Sequence, residues 1–174
     1  MQYIAYISLL MVGIGILFIA TSYLISAVAG AQFVRTPPEL FPKILELAGL
    51  SPGEEFIELG SGDGRLLGYV VKRCGAHAIG IELSPYLVLR TKIRYQRPDV
   101  QVRMQSIFAA DLSDTNCVYC YLLPNMMRRL ALKFRRELKP GTRVISYAFP
   151  IPDKTPDRTI PRTDRISALY LYRY

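Results

Sequence analysis

Phe56-Ile57-Glu58-Leu59-Gly60-Ser61-Gly62-Asp63-Gly64-Arg65 is a short apolar run that breaks into three alternating glycines and passes at once into helix-compatible residues. The pattern predicts strand, tight loop, helix. Glycines at these positions let the backbone take positive φ and come close to a ligand, while a helix starting after Gly64 turns its free N–H groups back toward the loop. The spacing lacks the third glycine of the dinucleotide fingerprint at its usual offset, and no Gly-Lys-Ser/Thr follows, so neither a pyrophosphate nor a P-loop phosphate is expected. Glu58 at the strand end and Asp63 inside the loop would repel phosphate, but could receive the ammonium and sulfonium charges of S-adenosylmethionine. An ordinary glycine-rich turn is the bland alternative.

A second acidic residue falls where such a site needs one. The apolar run Ala78-Ile79-Gly80-Ile81 ends in Glu82, about twenty residues downstream, and a carboxylate at a strand end there accepts ribose hydroxyls. The two blocks Glu58-Leu59-Gly60-Ser61-Gly62-Asp63-Gly64-Arg65 and Gly80-Ile81-Glu82-Leu83-Ser84-Pro85 resemble motif I and its successor in Rossmann-like methyltransferases. With Leu123-Pro124-Asn125-Met126-Met127, Arg143-Val144-Ile145-Ser146 and Phe149-Pro150-Ile151-Pro152, they are similar to the membrane-anchored mitochondrial protein-lysine methyltransferases that modify the ATP synthase c-subunit and the adenine nucleotide translocase, and to their prokaryotic relatives.

The resemblance covers roughly residues 33 to 155 and implies S-adenosyl-L-methionine as cofactor. Glu58, Gly60, Ser61, Gly62, Asp63 and Gly64 would hold its amino-acid end, Glu82 and Leu83 its ribose, and Ser106 and the N–H of Ile107 its adenine. The loop Leu123-Pro124-Asn125 would present a carbonyl and an amide to the methyl-accepting amine, and a segment before the domain, with Phe33, Thr36 and Pro37, would line the substrate entrance. Two positions depart from the pattern: Arg35 stands where the family usually has proline, and Ser106 where an Asp near the adenine is common.

From Met1 to Val34 there is no Asp, Glu, Lys, Arg or His, and Tyr3 to Ala29 is dominated by apolar residues. That exceeds the ~20 residues a bilayer span needs. A cleaved signal peptide is the rival, since Ser26-Ala27-Val28-Ala29-Gly30 has small residues, but there is no basic stretch before the apolar run and the run is too long. A buried core helix is the third reading. The expected organisation is a transmembrane anchor over 1–32, a pre-methyltransferase segment over 33–50 and a methyltransferase domain over 51–174. Arg35, Lys43 and the basic domain behind them place the catalytic part of a single-pass membrane protein on the cytoplasmic side.

The net charge is +8, from 22 Lys and Arg against 14 Asp and Glu. The cations concentrate on two predicted helices, Arg90, Lys92, Arg94 and Arg97 on one and Arg128, Arg129, Lys133, Arg135, Arg136 and Lys139 on the other, without an interleaved aromatic ladder. No nucleic-acid partner is expected from that distribution; the lipid bilayer, or plain solvation of a helix face, accounts for it. Cys117 and Cys120 have metal-like spacing but lie in a predicted strand, where positions three apart face opposite ways, and His77 is the single histidine, so no metal site is expected.

Strands and helices alternate along the rest of the chain. Thr36 and Glu39 read as a capping box with Pro37 at the first position of a helix that Gly49 stops. Helices are predicted over 65–74, 85–97 (with Ser84 as N-cap) and 125–138, and strands over 78–82, 100–105, 116–123 and 142–149, with 165–174 as a last antiparallel strand. Asp111 could stand in for the Asp missing at position 106, but is expected in a turn with Ser113 and Asp114.

The resulting fold is α/β and Rossmann-like: a mostly parallel sheet with an antiparallel C-terminal edge, preceded by one transmembrane helix. The expected activity is S-adenosylmethionine-dependent transfer of methyl to a lysine of a membrane-associated protein. Two alternatives are a methyltransferase acting on a lipid or quinone and a catalytically idle adaptor.

Overall fold

The computed structural model describes residues 2–28 and 34–174. Seven strands form one sheet in the order β3-β2-β1-β4-β5-β7-β6. The strands are β1 Glu55–Leu59, β2 His77–Glu82, β3 Val100–Met104, β4 Cys117–Cys120, β5 Arg143–Tyr147, β6 Arg158–Ile160 and β7 Leu169–Arg173. β1 to β5 pair in parallel, and β7 is antiparallel to both β5 and β6. The chain reverses its strand order between β1 and β4, which opens a crevice at the carboxyl ends of these strands.

Both faces of the central strands are covered, so their residues alternate between two apolar layers rather than between core and water. Phe56, Ala78, Cys117, Tyr119 and Ile145 face α2 (Phe41–Ala48) and α3 (Arg65–Cys74). Ile57, Leu59, Ile79, Cys120 and Val144 face α5 (Pro124–Glu137), whose Met127, Leu130 and Phe134 are buried at helical spacing. Cys117 and Cys120 therefore lie in opposite layers, as their spacing on a strand requires, and burial pushes both thiols up to about 12. α4 (Pro85–Arg94) lies beside α3 along β2 and β3. Between β3 and β4 the chain forms no helix; Ala110 and Leu112 fill the α5 layer from a loop in which Asp111 Oδ1 accepts from Ser113 N.

Several boundaries differ from the sequence reading, each for a local reason. Thr36 does not cap a helix: a 3-10 turn occupies Pro38–Leu40, α2 starts at Phe41, and the Thr36 hydroxyl instead bonds Tyr119 OH at 2.9 Å. α4 stops at Arg94, three residues early, because Tyr95 turns extended to lay its ring on α3 and Pro98 disfavours helical geometry just before it. β5 ends at Tyr147, where Ala148 takes a φ of 69°. The antiparallel edge is two strands wide, since the proline-flanked Arg158–Ile160 pairs with β7 and becomes the outermost strand.

α1 (Gln2–Val28) is long and apolar enough to cross a bilayer, and nearly every described side chain on it is exposed. Ser22 is the exception. It is fully buried, its Oγ accepts from Tyr86 N at 3.3 Å, and the Tyr23 and Tyr86 rings lie 6.5 Å apart, so the end of α1 rests on the first turn of α4. The expected boundary at residue 32 and the entrance residue Phe33 fall outside the described residues.

Candidate active site

The loop after β1 is built to approach something closely. Gly60, Gly62 and Gly64 all have positive φ (78°, 55° and 71°), and a Cβ at Gly64 would meet Thr91 Cγ2 at 2.5 Å. A side chain is thus excluded by backbone strain and by contact. Gly60 N and Ser61 N both donate to Ile81 O, which ties the loop to the end of β2, and Thr91 Oγ1 donates to Gly62 O. Gly80 completes the fit from β2, since a Cβ there would lie 2.4 Å from Ser61 Oγ.

Three carboxylates converge on this loop. Glu58 is buried at the end of β1, and its Oε2 finds no hydrogen-bond partner among the described residues. Burial first, then the nearby charges of Asp63 and Glu82, push the Glu58 carboxyl well above the usual carboxylate range. Glu82 is held differently: Oε2 accepts from Gly62 N at 2.9 Å, and Oε1 from Leu83 N and Ser84 N at 2.9 and 2.8 Å. Those three amides fix both the carboxylate and the loop, leaving about one lone-pair direction for a ligand. Asp63 meets guanidinium groups from three elements, Arg65 Nε at 2.9 Å, Arg94 Nη1 at 3.7 Å and Arg35 Nε at 3.8 Å. Its buried Oδ2 nonetheless lacks the geometry of a hydrogen bond to any of them.

Two pockets open on either side of Gly60. One is lined by Glu58, Ser61, Gly62, Asp63 and Arg65 on the loop side and by Val34, Arg35, Thr36, Phe41 and Tyr121 opposite. The other is largely apolar and is lined by Ile81, Glu82, Leu83, Ser106, Ile107, Phe108, Leu122 and Met126. The first offers charge to an amino acid and the second a slot to a flat ring, with Gly60 at the join and Glu82 in the wall of the second. A buried carboxylate oxygen without a partner, on a residue that lines the charged pocket, is what a cofactor ammonium would satisfy.

The structure thus brings together Glu58, Gly60, Ser61, Gly62, Asp63, Glu82, Leu83, Ser106, Ile107 and Thr36, all in the two pocket walls; Gly64 sits behind the loop and Pro37 beside the first pocket. Ser106 shapes its own turn, with Oγ accepting from Phe108 N at 3.3 Å and its carbonyl from Ala109 N at 3.0 Å. Leu123, Pro124 and Asn125 are exposed at the start of α5, just past Leu122. Leu123 O already accepts from Met126 N and Met127 N at 3.0 Å each, and Asn125 Oδ1 from Met126 N at 2.9 Å.

Sequence reasoning missed Tyr119, Tyr121, Arg65, Arg94, Phe108 and Met126. Tyr119 and Tyr121 carried a usable signal, because alternate residues at the end of a strand share a face.

A parallel sheet reversing at β1/β4, a glycine loop over an unsatisfied acid, and a charged pocket joined to an apolar slot define an S-adenosylmethionine-dependent methyltransferase. The family described as the ANTKMT methyltransferase domain matches residues 58–158, and the chain belongs to it. A protein-lysine N-methyltransferase of Saccharolobus islandicus is 30% identical over 154 residues, 84% of this chain and 96% of that one. The adenine nucleotide translocase lysine N-methyltransferase of Mus musculus is 33% identical over 131 residues, and this chain spans 56% of its length. A crystal structure of an RNA methyltransferase from Salinibacter ruber in complex with S-adenosyl-L-homocysteine superposes with a TM-score of 0.77 at 32% identity, covering 80% of this chain and 93% of that one.

Proposed function

We propose that this methyltransferase acts on the side-chain amine of a lysine in a membrane-associated protein, with its catalytic domain on the cytoplasmic face and α1 as its anchor. The observation that carries the lysine reading is the archaeal protein-lysine N-methyltransferase, similar over nearly its whole length. The membrane reading rests on α1, which the domain leaves exposed along almost all of its described length.

S-adenosylmethionine supplies an already activated methyl group, so the protein's task is to align a neutral nucleophile and exclude water rather than to provide a strong base. Glu58 holds the cofactor ammonium, Glu82 meets the ribose, and Ser106 and Ile107 flank the adenine in the apolar slot. Asp63, with its arginines, balances the charge of the amino-acid end. The rim Leu123-Pro124-Asn125 and the strap Val34–Thr36 bound the two sides from which an acceptor amine can arrive. Because Leu123 O already closes the first turn of α5, the amine reaches that carbonyl by competing with a helical amide.

A second reading, methylation of RNA, is favoured by the Salinibacter ruber neighbour and by the net charge of +8. Incubating the full chain with membranes, total RNA and labelled S-adenosylmethionine separates the readings. Label that protease releases and acid hydrolysis returns as methyl-lysine supports the proposal. Label destroyed by nuclease, or extracted into organic solvent, overturns it in favour of RNA or of a lipid or quinone.

A further inference from the structure

α4 carries an exposed stripe that the cofactor site does not use. Its inner face is occupied: Leu87, Val88 and Thr91 are buried, Thr91 reaches Gly62 O, and Arg94 donates to Asp63 O at 2.9 Å. On the outer face Tyr86, Leu89, Arg90 and Ile93 follow one another at the i, i+3, i+4, i+7 spacing of a single helical stripe. Leu89 is 48% exposed and Ile93 63% exposed, an unfavourable placing for two large aliphatic side chains in water.

What sits at the head of the stripe says what covers the rest. Tyr86 is the residue on which the end of α1 rests, through Ser22 and the Tyr23 ring. If α1 spans a bilayer, its last turns and therefore Tyr86 lie at the membrane surface, and Tyr23 and Tyr86 make the aromatic pair such a depth favours. Leu89 and Ile93 continue from that point on the same face. Two cations flank them, Arg90 on one side and Lys92 on the other, and neither makes an ion pair among the described residues, whereas Arg94 is taken by Asp63 and Arg97 by Asp99. Apolar side chains at the acyl boundary with Lys and Arg heads reaching to the phosphates is how short amphipathic helices lie in an interface.

We infer that α4 is a second membrane contact, lying in the plane of the interface with Tyr86, Leu89 and Ile93 in the acyl boundary and Arg90 and Lys92 on anionic headgroups. This rests on α1 being a span, and it adds an orientation: the pocket mouth, whose loop α4 holds from its other face, is presented at headgroup level. A ten-residue helix binds lipid weakly alone, but α1 keeps it at high effective concentration.

The chain has no Trp, so a single introduced one reports its own surroundings. Full-length protein carrying Ile93→Trp, Leu89→Trp or, on α1, Leu10→Trp is reconstituted into phosphatidylcholine–phosphatidylglycerol vesicles, after S-adenosyl-L-homocysteine binding shows each variant folded. Emission from residues 89 and 93 should move to shorter wavelength and be quenched by lipid brominated near the headgroup end of the chain, and residue 10 by lipid brominated near the methyl end. Adding Arg90→Gln and Lys92→Gln, or raising salt, should reduce quenching at residue 93. Quenching at residue 10 with none at 89 or 93 overturns the α4 contact and leaves the anchor standing; quenching at none of the three overturns both. Emission at 93 that responds to RNA and not to lipid overturns the lipid assignment, and quenching at 93 indifferent to the two glutamines and to salt overturns the headgroup part.

Discussion

The two halves of the site are built on different terms. The cofactor half is held by backbone: three positive-φ glycines, amides from Gly62, Leu83 and Ser84 on Glu82, and carbonyls donated to by Thr91 and Arg94. The proposed acceptor half is bounded by exposed or half-buried segments, Val34–Thr36, which also lines the charged pocket, on one side and Leu123–Asn125 on the other, where the available carbonyl already serves its own helix. A half fixed by backbone tolerates little substitution and serves one ligand. A half made of exposed side chains can change acceptors without disturbing the fold, and similar proteins are named for lysine in one case and RNA in another.

The comparison breaks most directly at Gly64. Gly64→Val combines a β-branched residue at a φ of 71° with the 2.5 Å approach to Thr91, and should cost about 3 kcal/mol or more, read as a fall in denaturant midpoint with loss of cofactor binding. Adding Thr91→Ala should restore only part, since it relieves the contact and not the backbone. Full restoration would mean that the loop's conformation is not what matters.

Glu82→Ala should follow, at about 2 to 4 kcal/mol of cofactor binding by calorimetry. Because the same carboxylate pins three amides, the melting temperature should fall as well, and unchanged affinity would remove Glu82 from the site.

Glu58 sharpens the contrast through pH. Its carboxyl is raised in the folded protein, so the folded state holds a proton that the unfolded chain loses at the ordinary carboxylate value. Stability from this group therefore falls as pH rises from the ordinary carboxylate range to the raised folded value. An ammonium on Glu58 favours the ionised form, so cofactor affinity should rise with pH over that same window, with proton release visible as a buffer-dependent binding enthalpy. Glu58→Gln should abolish the release; its persistence would place the proton elsewhere.

Tyr119→Phe removes one hydrogen bond to the strap at Thr36 and should weaken cofactor binding by about 1 kcal/mol, with faster hydrogen exchange at Val34–Thr36. Smallest in stability is Leu123→Ala on the exposed rim, within about 0.5 kcal/mol, with turnover on the acceptor falling while cofactor affinity stays. A cofactor defect there would erase the distinction between the halves.

The same division explains what the sequence made readable. Glycine spacing, a strand-end acid and the alternation of strand and helix are local rules, and they located the loop, Glu82, the sheet class and most elements to within a few residues. Four things are set by partners elsewhere in the chain. Thr36 looked like a cap until Tyr119, 83 positions on, claimed its hydroxyl. α4 ended early because Tyr95 had a place on Gly68. β6 is three residues between prolines, too short to show a period and a strand only because β7 offers its edge. Arg35 and Arg94 belong to this group as well: they join Arg65 around Asp63 only in the fold.

Gly64 and Gly68 lie one turn apart and receive Thr91 and Tyr95, also one turn apart, so close that a Cβ at either glycine would overlap its neighbour at 2.5 and 2.4 Å. A seam meshed at that range cannot slide or part without losing contact along its whole length. The loop side of the charged pocket is thereby braced against α4, so that on the proposed reading spent cofactor is expected to leave past Val34–Thr36. The residence time of S-adenosyl-L-homocysteine should then follow how often that strap lets go, and replacing Tyr119, which bonds Thr36, with Phe should shorten it even where the chemical step is untouched.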